Sequence, residues 1–149
     1  MCSDKTRAPQ ALNVPWVSIE IGARHIEKYQ ITQGVYDHFL ALSQDQNPIH
    51  ISDEEAKQRG FAAKVMHGGI LHGFLSHFVG MCFPGRQSLL LKTDLRYANP
   101  CFLDDQLLLE AVVSQKTEAA KVLMLNLKFR REPGHSLVAT GQCLVRIQK

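Results

Sequence analysis

His67-Gly68-Gly69-Ile70-Leu71-His72-Gly73-Phe74-Leu75-Ser76-His77-Phe78-Val79-Gly80-Met81-Cys82-Phe83 is the stretch on which the fold turns. Leu71, Phe74, Leu75, Phe78 and Cys82 recur at helical spacing, and Ile70, Val79 and Met81 are apolar on other sides. A helix that is apolar all round belongs in an interior. Its glycines have poor helix propensity, so surrounding structure has to hold it. The spacing predicts one long helix that something else must wrap.

The residues after Pro84-Gly85 supply the wrapping. The apolar period there drops from helical to alternating, through Leu91, Thr93, Leu95 and Tyr97, then Leu107, Leu109, Ala111 and Val113. Leu123, Leu125, Leu127 and Phe129 continue it, followed by Leu137, Ala139, Gly141, Cys143, Val145 and Ile147. Alternation gives four strands with one core-facing side. The turns Lys116–Ala119 and Glu132–His135 are short, so neighbours should pair antiparallel as a meander. A helix followed by an antiparallel sheet is an α+β fold. One sheet around one helix leaves open edges, which a second copy can cover.

Upstream, residues 1–14 are polar and aperiodic and read as a flexible tail, with the domain spanning 15–149. Strands are expected near Trp16–Ile21 and Ile26–Ile31. Thr32 caps a helix running to about Ser43, with Val35, Phe39, Leu40 and Leu42 on its apolar side. Pro48 breaks the pattern. Ser52 starts a short helix with Asp53, Glu54 and Glu55 in its first turn, where their charge suits the helix dipole.

The bulk properties narrow the function. The chain has 149 residues and a net charge of +3, too weak and scattered for a nucleic-acid partner. No run of about 18 apolar residues marks a membrane span, and Met1–Lys5 lacks the apolar core of a secretory signal. The four cysteines, Cys2, Cys82, Cys101 and Cys143, form no Cys-x-x-Cys pair. They suit the cytoplasm or another reducing compartment.

Three features could carry chemistry. Asp45 and His50 flank a Pro48 turn, where a carboxylate and an imidazole can share the protons of one water. The same residues also fit an Asp side-chain turn beside a surface histidine. His67-Gly68-Gly69 opens the central helix, whose free N–H groups and dipole attract a developing negative charge. Glycines there also serve a loop's dihedral needs. Ser76, on the apolar helix, either bonds the carbonyl one turn back or reaches the His50 loop. His67, His72 and His77 do not form a metal site, because steps of five residues turn side chains by roughly 140° on a helix.

The run Phe39-Leu40-Ala41-Leu42-Ser43-Gln44-Asp45-Gln46-Asn47-Pro48-Ile49-His50 resembles the hydratase motif of the MaoC-like family, the (R)-specific enoyl-CoA hydratases and related 3-hydroxyacyl-thioester dehydratases. Phe61–Gly80, with Val65-Met66-His67-Gly68, is a second match. Leu95–Asp105 is similar to the family's strand ending in a Gly-Asp turn. The resemblance covers roughly residues 17–148. It implies the hot-dog fold, a long helix wrapped by an antiparallel sheet, as a homodimer or higher homo-oligomer. It implies Asp45 and His50 as the catalytic pair and the Gly68 N–H as the thioester-oxygen site. Asn47, His67 and Ser76 would support them, and Gly69 would touch substrate. The substrate would be an acyl thioester of CoA or acyl carrier protein, with no metal or redox cofactor. Gln44 and Asp104 stand where the family commonly has glycine, and Gly69 where many members have Met. A thioesterase of this fold would need a carboxylate on or near the central helix, which has none. A non-catalytic acyl-thioester-binding domain would need neither Asp45 nor His50.

Overall fold

The computed structural model describes residues 10–148. Five strands form one antiparallel sheet: β1 (Arg24–Gln30), β2 (Ser88–Tyr97), β3 (Gln106–Thr117), β4 (Val122–Glu132) and β5 (Ser136–Ile147). Four helices lie among them: α1 (Gln33–Ser43), α2 (Pro48–Ile51), α3 (Asp53–Gln58) and α4 (Gly69–His77). The four alternating segments all become strands. Only β3, β4 and β5 form the expected meander, because β2 pairs with β5 and β1 with β3. The spatial order is β1-β3-β4-β5-β2. The 12-residue strands β3 and β5 give each flank a full-length partner.

Leu107, Leu109, Ala111 and Val113 of β3 are buried, as are Leu123, Leu125, Leu127 and Phe129 of β4. They face Ile70, Leu71, Leu75, Phe78 and Val79 of the central helix in one core. Burial of each larger side chain stabilises the fold by roughly 1.5–3 kcal/mol. The central helix is shorter and less enclosed than its composition suggests. Regular α-helix ends at His77 and a π turn, Phe78–Cys82, follows. Gly73, Ser76 and His77 are exposed.

Other expectations need correcting. Trp16–Ser18 is a 3-10 turn and not a strand. The Ser18 hydroxyl donates to the Pro15 carbonyl, and the Lys116 ammonium donates to the carbonyls of Trp16 and Ile19. These bonds satisfy a turn and leave no ladder. Residues 10–14 of the expected tail are described, and Leu12–Val14 is docked. Leu12 N–H donates to Met81 O, Val14 N–H to Pro84 O, and Asn13 bridges Gly85. Residues 1–9 of that tail lie outside the described chain. Leu42 points outward at 80% exposure, while Tyr36 takes the buried side of α1.

Both positions where a family glycine is replaced have left-handed backbone. Gln44 has φ 54° and Asp104 φ 66°. Gln44 ends α1, its N–H donating to Leu40 O. Side chains other than glycine pay for this conformation. Gln44→Gly is expected to raise stability by up to about 1 kcal/mol, a Tm gain of about 2–4 °C in thermal denaturation. Asp104→Gly should gain less, since Asp tolerates that region better.

Candidate active site

The loop after α1 is built by its own polar side chains. Asn47 N–H donates to Asp45 Oδ1 (3.1 Å), and Ile49 N–H donates to Asn47 Oδ1 (3.2 Å). Asn47 thus caps α2, with Pro48 in its first turn. This short helix, hidden in the sequence by its four-residue length, presents His50. Two further bonds clamp it. Tyr36 Oη donates to His50 O (3.0 Å), and Val65 N–H donates to Ile49 O (2.8 Å).

The His50 ring is oriented from behind. Its Nδ1 lies 2.7 Å from Val65 O. A carbonyl only accepts, so Nδ1 carries the proton and neutral His50 keeps a lone pair on Nε2. That Nε2 lies 3.7 Å from Asp45 Oδ2. The separation exceeds a direct hydrogen bond and leaves room for one water to bridge the two groups.

His67 closes the arrangement. It is 4% exposed, and its Nε2–H donates to Asp45 O at 2.8 Å. Its ring stacks on His50, with centroids 4.0 Å apart, and packs against Phe39 at 5.2 Å. Its Nδ1 is buried without a partner. Asp45, His50 and His67 each offer a ligand atom within 4.8 Å of the others. Binding an ion through Nε2 would cost His67 its hydrogen bond to Asp45 O.

Beside the pair lies a cavity of about 330 Å³. His50, His67, Gly68 and Tyr97 line its polar side; Ile31, Leu71, Cys101 and Val138 are among its apolar walls. Burial pushes the Cys101 thiol up to about 12, so it lines the wall as a neutral thiol. Gly68 precedes α4, and its N–H makes no hydrogen bond among the described residues.

The structure brings Asp45, Asn47, His50, His67 and Gly68 together. It does not bring Ser76, which is exposed in a single chain and whose hydroxyl makes no hydrogen bond among the described residues. Gly69 lies outside the cavity lining. A Cβ on it would come 2.3 Å from the tip of the Phe39 ring. Gly69→Met is therefore expected to push Phe39 off His67 and cost about 1–3 kcal/mol in urea unfolding, with hydration falling in parallel. Sequence reasoning missed Tyr36, Val65 and Tyr97. Their roles are a hydroxyl contact, a backbone carbonyl and a distant strand end, none of which leaves a local motif.

The family model described as "MaoC like domain" matches residues 18–127. The chain belongs to this family. An (R)-specific enoyl-CoA hydratase of Aeromonas caviae is 27% identical over 130 residues, covering 87% of this chain and 96% of that protein. A 3-hydroxybutyryl-CoA dehydratase of Methylorubrum extorquens is 26% identical, covering 88% and 82%. The unliganded R-hydratase PhaJ1 of Pseudomonas aeruginosa superposes with a TM-score of 0.85 at 23% identity, covering 94% and 89%. The fold is accordingly the hot-dog, and the chain is an enzyme of the hydratase/dehydratase class.

Proposed function

We propose that this enzyme reversibly hydrates trans-2-enoyl thioesters to (R)-3-hydroxyacyl thioesters. One observation carries the reading: a proton acceptor, His50 Nε2, and a proton-carrying carboxyl group, at Asp45 Oδ2, stand 3.7 Å apart beside the apolar cavity that His50 lines. In hydration, His50 takes a proton from water as the oxygen bonds to the β-carbon. Asp45 gives its carboxyl proton to the α-carbon. Returning the proton from His50 to Asp45 resets the pair. Dehydration runs the same transfers backwards. The thioester oxygen, negative as the enolate forms, sits at the Gly68 N–H and the dipole end of α4. The acyl chain lies against Leu71, Cys101 and Val138. These steps need no metal or redox cofactor.

The carrier is CoA or acyl carrier protein. The A. caviae relative is named for CoA, and a mitochondrial dehydratase of Arabidopsis thaliana, 22% identical over 106 residues, for acyl carrier protein. The net charge of +3 favours either anionic carrier. A second copy would complete the fold, since the edge strand β2 exposes Leu89 and Leu91. No helix among the described residues is long and apolar enough to cross a membrane. A reducing compartment such as the cytoplasm suits the buried Cys101 and Cys143 thiols.

The test is incubation with crotonyl-CoA, following loss of the conjugated thioester absorbance, with chiral analysis of the product. The (R)-3-hydroxy thioester is expected. Release of free thiol would identify a thioesterase instead, and binding without turnover a non-catalytic domain. Repeating the assay on crotonyl-acyl carrier protein assigns the carrier.

A further inference from the structure

Gly68 is confined by one neighbour. A Cβ built on it would lie 2.8 Å from Tyr97 Cζ, 3.0 Å from Cε1 and 3.1 Å from Oη. The phenol end of Tyr97 therefore rests on the N-terminal end of α4. Two bonds of about 1.5 Å join that Cβ point to the Gly68 nitrogen, so Oη stands within about 6 Å of it. One acceptor oxygen can accept from two donors so separated, each bond being about 2.9 Å. Tyr97 also lines the cavity that holds His50. Its hydroxyl makes no hydrogen bond among the described residues, and neither does the Gly68 N–H. With half its surface exposed, Tyr97 sits at the rim of that cavity.

We infer that the Tyr97 hydroxyl is a second hydrogen-bond donor to the thioester oxygen, completing with the Gly68 N–H a two-donor oxyanion site. This rests on the proposed hydration reaction and names a group it did not include. A lone N–H at a helix start stabilises an enolate oxygen partially. A second donor aimed at the same point gains most when charge develops there. Burial raises the Tyr97 phenol above its ordinary value, which keeps it a donor at neutral pH. Gly68 acquires a second reason to be glycine. Any side chain there would displace the phenol from the oxygen it serves.

Tyr97→Phe keeps the ring and removes only the donor. If the inference holds, kcat for crotonyl-CoA falls roughly 10- to 100-fold while KM stays within about threefold, the signature of a contact made in the transition state. A binding readout needs no turnover. Acetoacetyl-CoA carries an enolate with its own near-ultraviolet absorbance, whereas butyryl-CoA cannot form one as readily. Tyr97→Phe should diminish the enolate absorbance of bound acetoacetyl-CoA and weaken its binding about tenfold, leaving butyryl-CoA little changed. Unchanged kcat and unchanged enolate absorbance in Tyr97→Phe, with an active parent enzyme, would overturn this inference and leave the hydration reading standing. A parent enzyme that hydrates neither crotonyl-CoA nor crotonyl-acyl carrier protein would overturn both.

Discussion

Asp45→Asn is expected to lower kcat for crotonyl-CoA hydration by about 10³-fold or more while leaving Tm within about 2 °C. The reason lies in how Asp45 is held. Its Oδ1 accepts the Asn47 N–H, and an asparagine oxygen can do the same. His67 grips the backbone carbonyl and not the side chain. The loop therefore survives the substitution, and only the proton-carrying oxygen facing His50 is lost. His50→Ala should remove activity to a similar extent, but with a structural cost. It abandons the Val65 carbonyl and a ring stacked on buried His67. His50→Asn, which can keep a donor toward Val65, separates the two effects: stability should recover and activity should not. Combining Asp45→Asn with His50→Asn should cost little beyond either alone, because the groups act as one unit. Steady-state assays and thermal denaturation on the same preparations decide it. Wild-type turnover in either single variant would move the chemistry away from this pair.

How this site was legible in the sequence differs from group to group. Asp45 and His50 stand five residues apart, and Pro48 signals the turn between them. What the sequence did not display is that Asn47 caps a helix of four residues, too short for any apolar period to register. His67 was visible as a histidine before two glycines at the start of an apolar helix. Its hydrogen bond to Asp45 O spans 22 residues and depends on the loop geometry, so no spacing rule reaches it. Tyr97 and Val138 join the cavity through the pairing of β2 with β5. That pairing skips two strands, and alternation alone cannot encode it. The core faces of β3 and β4 were readable because a buried strand face repeats every two residues. In β5 the same alternation slips. A register shift between Phe129 and Arg130 on β4 leaves Val138 buried beside Ala139. Trp16–Ile21 shows the opposite case, where apolar β-branched residues were outweighed by a proline turn and a lysine that claims their carbonyls. Local pattern was decisive where burial was one-sided, and failed where long-range hydrogen bonds chose the conformation.

Gly141→Ala is expected to be the most damaging addition of a single methyl group to the sheet. Gly141 lies opposite Leu95 of β2 and Leu127 of β4. A Cβ on it would come 1.8 Å from Asp94 O, 2.8 Å from Asp94 C and 3.0 Å from Leu95 Cα. Every one of these atoms is backbone, so no side chain can swing aside. Relief requires β2 to move away from β5, breaking ladder bonds along the edge. Overpacking costs of this kind reach about 3 kcal/mol or more, which corresponds to a Tm fall of about 6–12 °C. The loss should also reach the site. Just past β2, Ala98 N–H and Asn99 N–H both donate to Val138 O, and Tyr97, Asn99, Cys101 and Val138 all line the cavity. A shifted β2 carries the phenol off Gly68, so the surviving folded fraction should show a lowered kcat as well. Gly34→Ala is the matching control. There the added Cβ meets only Thr32 Oγ1 at 3.8 Å, an ordinary contact, and helix propensity improves. Thermal denaturation of the two variants should move in opposite directions. A Gly141→Ala protein as stable as its parent would show that β2 does not approach β5 as closely as this packing requires.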